Sequence, residues 1–291
     1  MKALLADRLN CLREAMRHLR RKLSGAQRML RTNQRRVVLK SKEELELMRQ
    51  AGNIVAKALA EVRKYTRPGV STAEMDKIAE DVLKRHNAEP VFKGYPNSHE
   101  GGPPFPATIT ACINEELVHG IPGPNRILQE GDIFSVDCGA YFKGWVGDAA
   151  TTIPVGQISE EARRLLEVTE KSLYLGLAQG RLGNHTEDIS AAVQEFVEQH
   201  GYSVVREYTG HGVGRNMHED PQVPNFGQRG KGLRLKAGMT IALEPMVQVG
   251  TWKTKLLSDG WTVVTADGKL SAHFEHSFAI TDGEPDILTL L

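Results

Sequence analysis

Cysteine is scarce in this chain: Cys11, Cys112 and Cys138 are all that 291 residues contain. An odd number of thiols, with no CxxC pair, excludes a disulfide framework and a cysteine-built zinc knuckle and favours a reducing compartment. Long apolar runs are missing as well. No stretch approaches the roughly 18 residues that span a bilayer, so no membrane association is expected. The opening MKALLADRLN lacks the apolar core of a secretory signal, because Asp7 and Arg8 interrupt it. Net charge is almost absent too, at +1.

That small sum conceals two unlike parts. Residues 1–36 hold eleven Lys/Arg against Asp7 and Glu14, a net +9; the other 255 residues hold 26 basic and 34 acidic side chains, a net −8. Within the basic part, Leu5, Leu9, Leu12, Met16, Leu19 and Leu23 recur at three- and four-residue intervals. The pattern predicts an amphipathic helix over 2–30 with arginines on its outer face. Three readings stay open: a solvated extension, a contact with nucleic acid such as ribosomal RNA, or a mitochondrial presequence. The location expected is cytoplasmic, or the mitochondrial matrix if the last reading holds.

The body, residues 37–291, begins near Val37. Ser41 with Glu44, and Ser71 with Glu74, form capping boxes that open helices reaching about Tyr65 and Asn87. A Gly/Pro-rich loop follows over 93–107. Strand-like runs come next: ATITACI, DIFSVDCGAYF and GWVGDAATTIPV. Helical patterns cover 160–179 and 187–200, and the last third reads as strands and loops, among them MTIALEPMV and SAHFEHSFAI. Residues 67–86 and 181–200 align without gaps at an offset of 114, sharing Arg67/Arg181, Gly69/Gly183, Thr72/Thr186 and His86/His200. The echo predicts two similar α/β halves with a site at their joint.

The stretch DCGAYFKGWVGD, 137–148, begins and ends on aspartate. A hairpin turning at Phe142-Lys143 would set Asp137 directly opposite Asp148, with Cβ atoms ~5 Å apart. Like charges that close repel, unless a cation lies between them; the bland alternative is two solvated aspartates at a rim. His211 is crowded by Gly210, Gly212 and Gly214, and His218 follows in the same run. This glycine spacing does not match a dinucleotide fingerprint. Glu244 in MTIALEPMV and Glu275 in SAHFEHSFAI each stand on an otherwise apolar strand, where a buried carboxylate needs a partner. One ion pair could account for one of them. Both, together with the aspartates and His211, favour a cage for Mn²⁺, Fe²⁺, Co²⁺ or Zn²⁺. His119, in LVHGIPG, reads on its own as a turn residue, and His273 and His276 read as structural.

The segments CINEELVHGIPG (112–123), SVDCGAYFKGWVGDAATT (135–152), EYTGHGVGRNMHEDPQV (207–223), TIALEPMV (240–247) and LSAHFEHSFAI (270–280) resemble the motifs of type I methionine aminopeptidases. The resemblance runs from about Leu39 to the C-terminus. It implies the pita-bread fold, an α/β (α+β) architecture of two pseudo-symmetric halves with antiparallel sheet and flanking helices around a dinuclear metal site. It implies two divalent ions, bridged by Asp148 and Glu275, one also held by Asp137 and the other by His211 and Glu244. Glu244 would accept the proton of the attacking water, His218 would hydrogen-bond the carbonyl oxygen, and His119 would contact the scissile amide nitrogen. The implied reaction removes the initiator methionine from nascent polypeptides when the second residue is small, by a monomeric enzyme.

Positions matching the family's methionine pocket are Phe92, Tyr95, Met217 and Trp261, with His119 at its edge. Thr110 stands where many members have a pocket cysteine, and the chain between Tyr95 and Asn114 is lengthened through HEGGPPFPA. The cysteine count excludes the zinc-binding N-terminal segment of cytosolic eukaryotic members, and no long type II insertion is present. Prolidase and aminopeptidase P share the ligands and fold but carry a large additional N-terminal domain, for which residues 1–36 are too short. Relatives that bind nucleic acid without catalysis lose metal ligands, whereas all five are kept here. A purely structural module leaves both inward glutamates without a reason.

Overall fold

A computed structural model of the chain describes residues 37–97 and 101–291. The predicted helix over 2–30 lies outside the described residues. The first half of the body holds helices α1 (Lys42–Tyr65) and α2 (Thr72–Arg85) and strands β1 (Glu89–Pro90), β2 (Ile109–Ile113), β3 (Glu116–Val118), β4 (Ile133–Phe142) and β5 (Trp145–Pro154). The second half holds α3 (Glu160–Leu177), α4 (Thr186–Gln199), β6 (Ser203–Val204), β7 (Thr209–Gly212), β8 (Glu219–Pro224), β9 (Thr240–Leu243), β10 (Met246–Gln248), β11 (Thr254–Leu256), β12 (Val263–Thr265), β13 (Ser271–His273), β14 (His276–Ala279) and β15 (Asp286–Ile287).

Both expected capping boxes form. Ser41 and Ser71 each accept the N–H of the glutamate three residues on, and each glutamate returns the bond to the cap. Two orphan N–H groups are satisfied at each helix start. α1 then buries Met48, Ala51, Val55, Ala58 and Val62 along one stripe, against the β2–β4–β5 face. A second core lies under α3 and α4.

The echo in the sequence is an echo in space. α2 and α4 have 14 residues each, and their starts lie at the same offset of 114. The N–H groups of Gly69 and Gly183 bond to Leu128 and Leu235, and those of Thr72 and Thr186 bond to Arg126 and Leu233. The hydroxyls of the two threonines accept from Gly123 and Leu233. Each half therefore pins its second helix to a following extended segment in the same manner.

Two strand expectations need correction. The β4–β5 hairpin turns at Lys143-Gly144, both with positive φ (51° and 86°), one step later than Phe142-Lys143. A two-residue turn of that hand matches strand twist, and it wants glycine at its second position. The register becomes Asp137↔Ala150 and Gly139↔Asp148, so the aspartates are diagonal neighbours on one face rather than directly opposed. MTIALEPMV and SAHFEHSFAI are each two strands, not one. β9 and β14 belong to the five-stranded sheet β15–β14–β9–β7–β8, while β10 and β13 pair in the sheet β13–β10–β6. Pro245 has no N–H for a ladder, and Glu275 directs its own N–H to Ala150 at 2.9 Å. Both chains change sheet at their glutamate.

Candidate metal centre and substrate cavity

Those strand breaks join the halves. Glu275 and Ala150 exchange backbone hydrogen bonds, at 2.9 and 3.4 Å, which brings β5 alongside the second half. Following the pairings across gives one transverse row, Thr110, Asp137, Ala150, Glu275, Glu244. The next row, two residues along each strand, is Gly139, Asp148, Ser277, Ala242, His211; Ser277 Oγ donates to the Asp148 carbonyl at 2.8 Å. Residues two apart on a strand share a face. The small residues in the rows leave space between the long ones.

Asp137, Asp148, Glu244 and Glu275 are consequently gathered with His211. Single ligand atoms of Asp148, His211 and Glu275 all lie within 4.8 Å of one another. His211 Nε2 is 3.7 Å from Asp148 Oδ2 and 3.6 Å from Glu244 Oε1. Its Nδ1 shares a 2.8 Å hydrogen bond with the Gly212 carbonyl, so Nδ1 carries the proton and Nε2 offers a lone pair to the carboxylates. This is the usual way of orienting a metal-binding imidazole.

The electrostatics call for a cation. Burial, then Asp148 and Glu244, hold the Asp137 carboxyl well above the ordinary range; burial pushes Asp148 up to about 7. Burial and the Asp148 charge raise Glu244 strongly, and burial with the other three carboxylates raises Glu275 strongly. Among the described residues the only basic groups within ion-pair range of this cluster are imidazoles. His211 cannot supply charge, since burial pushes it down to about 3. Oδ1 of Asp137, Oδ1 of Asp148 and Oε1 of Glu275 are buried without a hydrogen-bond partner. Orphaned carboxylate oxygens around a neutral imidazole fit divalent ions of the O/N-ligated kind.

A cavity of about 340 Å³ opens over the cluster. Phe92, Tyr95, Thr110, His119, Met217, His218 and Trp261, all singled out by the sequence, line it. Tyr95 OH and His218 Nδ1 share a 2.7 Å hydrogen bond, and the His218 ring lies 4.4 Å from the His211 ring. His119 has φ of +60° at the end of β3, and its ring meets the edges of Tyr208 and Trp261 at 5.7 and 6.1 Å. Burial, and then His218, push His119 down to about 4. Thr110 faces Asp137 from β2.

Several cavity residues escape sequence reasoning. Phe105, from the lengthened loop, is 3% exposed and packs edge-on against Trp261 at 5.2 Å and Phe92 at 6.5 Å. A loop has no period that could have marked it. The Pro103 carbonyl accepts Trp261 Nε1 at 2.9 Å, so the loop braces the pocket wall. His273, expected to be structural, stands on the cavity wall with Nε2 3.7 Å from Glu244 Oε2. Its signal was available: it lies two residues before Glu275 in the same run. His276, by contrast, is tied to Thr289 and Tyr174 away from the cavity. Cys112 and Cys138 are free and buried. No helix among the described residues is long and apolar enough to cross a membrane.

The profile of metallopeptidase family M24 matches residues 46–282. The methionine aminopeptidase of Clostridium acetobutylicum is 53% identical over 254 residues, spanning 87% of this chain and 99% of that protein. The crystal structure of methionine aminopeptidase from Thermotoga maritima superposes with a TM-score of 0.84 at 42% identity, covering 88% of this chain and 100% of that one. The prolidase of Pyrococcus horikoshii OT3 shares the fold alone, at 22% identity and a TM-score of 0.68, and 63% of its longer chain is covered, against 87% of this one. A buried carboxylate–imidazole cluster of this kind, set between two similar halves, is what such a likeness requires: the chain belongs to metallopeptidase family M24, among its methionine aminopeptidases.

Proposed function

We propose that the chain hydrolyses the first peptide bond of polypeptides that begin with methionine, preferring a small second residue, with two divalent ions of the Co, Mn, Fe or Zn type. The observation that carries this reading is the cluster of buried Asp148, Glu275 and His211 with half-buried Asp137 and Glu244, opening onto an aromatic-lined cavity. Asp137, Asp148, His211, Glu244 and Glu275 would hold the ions, Asp148, His211 and Glu275 offering ligand atoms within 4.8 Å of one another. When bound, such ions polarise the scissile carbonyl and lower the pKa of water.

The remaining work falls to side chains. Glu244 accepts a proton from the attacking water, in keeping with a carboxyl whose affinity for protons burial has raised. His218, with Nδ1 committed to Tyr95, uses Nε2 to hydrogen-bond the carbonyl oxygen as charge develops on it. His119, kept neutral by burial, contacts the scissile amide nitrogen. The methionine side chain lies among Phe92, Tyr95, Met217 and Trp261, with Phe105 closing the wall; a thioether favours such aromatic edges. The free α-amino group sits on the Asp137 side, which restricts attack to the first bond.

In this reading residues 37–291 are the catalytic domain of a monomeric cytoplasmic enzyme acting on nascent chains. Residues 1–36, with their net +9, would contact ribosomal RNA. Turnover of Met-Ala-Ser and Met-Lys-Ser with added Co²⁺ or Mn²⁺ tests the proposal. Rapid release of methionine from the first and slow release from the second are expected; cleavage of neither by metal-replete protein would refute it.

A further inference from the structure

The turn between His211 and His218 is held by a buried ion pair that the hydrolysis itself does not use. β7 ends at Gly212 and β8 begins at Glu219; the residues between them carry Met217 and His218 to the cavity. Glu219 folds this turn around its own carboxylate. Oε1 accepts the backbone N–H of Arg215 at 2.9 Å and of Asn216 at 3.2 Å. Oε2 accepts Lys40 Nζ at 2.7 Å, and the two side chains are only 13% and 2% exposed.

Lys40 is itself fixed. Its backbone N–H donates to the Gly238 carbonyl at 2.7 Å, and Nζ also donates to the Val38 carbonyl at 3.2 Å. Gly214 shows how closely the pair is enclosed. A Cβ there would lie 2.7 Å from both Glu219 carboxylate oxygens and from Lys40 Cε, so the ion pair fills the space of a side chain. The Gly214 carbonyl in turn accepts the N–H of Val146, two residues before Asp148.

We propose that Lys40 and Glu219 are positioning residues that hold His218 at its working angle over the metal-binding cluster. Glu219 follows His218 in the chain, and three donors pin its carboxylate, so the backbone between them has little freedom to turn. The ring of His218 then meets His211 at 4.4 Å and Tyr95 OH at 2.7 Å. Without the ammonium, the carboxylate keeps only two amide donors in a buried place and seeks water, which loosens the turn. A displacement of about 1 Å at such a group costs on the order of a hundredfold in rate. The inference rests on the role given to His218 above.

Lys40→Met is compared with the unmodified chain for kcat on Met-Ala-Ser in excess Mn²⁺, alone and combined with His218→Ala. Mn²⁺ affinity is measured on each by calorimetry. The expected result is a kcat lowered on the order of a hundredfold, with Mn²⁺ affinity unchanged, and no further loss when the substitution is made in His218→Ala. An equal loss in both backgrounds, or full kcat in folded Lys40→Met, overturns the proposal. Should Lys40→Met fail to fold, the paired variant Lys40→Met/Glu219→Gln removes both charges and keeps an acceptor for the turn. A smaller loss, since the turn keeps its acceptor, and the same non-additivity are expected of it, and full turnover counts against the inference. Full turnover by His218→Ala alone would instead remove His218 from the mechanism, and this inference with it.

Discussion

Glu244 faces Glu275. The pairing Leu243↔His276 on one side and Met246↔His273 on the other continues through them in one register, although the ladder itself breaks there. Two like charges directly across an antiparallel pair destabilise it, and Glu275 also feels the charges of Asp137 and Asp148. The arrangement is sensible only when cations lie among the four.

Replacing Glu244 by Gln keeps the shape and removes the proposed proton acceptor. Turnover of Met-Ala-Ser is expected to fall by about 10²–10⁴-fold, the usual contribution of a general base. Circular dichroism should be unaltered. The melting temperature of metal-free protein should hold or rise, since one buried like charge is gone. Near-normal turnover would take Glu244 out of the chemistry.

Chelation should abolish activity and make stability pH-dependent. The folded state holds the cluster's protons more tightly than the unfolded chain does, because burial raises all four carboxyls. Stability from raised carboxyl groups is present at low pH and is lost as pH rises. His211 and His273, pushed down to about 3, act in the other direction only below the ordinary histidine value near 6.5. Metal-free protein should therefore melt at progressively lower temperature as pH rises from about 6.5 through the raised carboxyl values, the Asp148 value of about 7 among them. Protein supplied with Mn²⁺ should show no such decline. Parallel curves for the two would show that the carboxylates are already compensated.

Phe105→Ala tests the wall supplied by the lengthened loop. The substitution removes the edge contacts to Trp261 and Phe92 but spares the Pro103–Trp261 hydrogen bond. Loss of apolar contact in a substrate pocket is worth about 1–3 kcal/mol, so kcat/KM for methionyl peptides should drop roughly 10- to 200-fold. Most of the change should appear in KM, because the ring makes no contact with the reacting bond. An unchanged KM would mean that methionine binds elsewhere in the cavity.

Deleting residues 1–36 should leave turnover of Met-Ala-Ser intact. Sedimentation with ribosomes should weaken, most strongly at low salt, where the +9 segment would bind phosphate best. Equal pelleting of both forms would dispose of that contact.

Much of the site was legible before any coordinates, because it rests on local rules. Capping boxes and the 114-residue echo follow from residue spacing within a few turns of chain, whereas the single strands expected to carry Glu244 and Glu275 are each broken at the glutamate. The resemblance then supplied roles for residues such as His119 that spacing alone reads as a turn. What failed was register and loop geometry. The hairpin moved by one residue because Lys143-Gly144 satisfies the turn better than Phe142-Lys143, which made the aspartates diagonal. Phe105 reached the cavity through contacts formed by residues far off in sequence.

By itself the sequence determined which side chains share a face and which residue types could hold a cation, since both depend on neighbours along the chain. Only the tertiary structure decided that Asp137 and Asp148 from one half meet His211, Glu244 and Glu275 from the other. That meeting is made by the backbone bonds between Ala150 and Glu275, where the two sheets touch. No periodicity encodes a hydrogen bond between residues so far apart; it forms because both halves must bury their apolar faces at once.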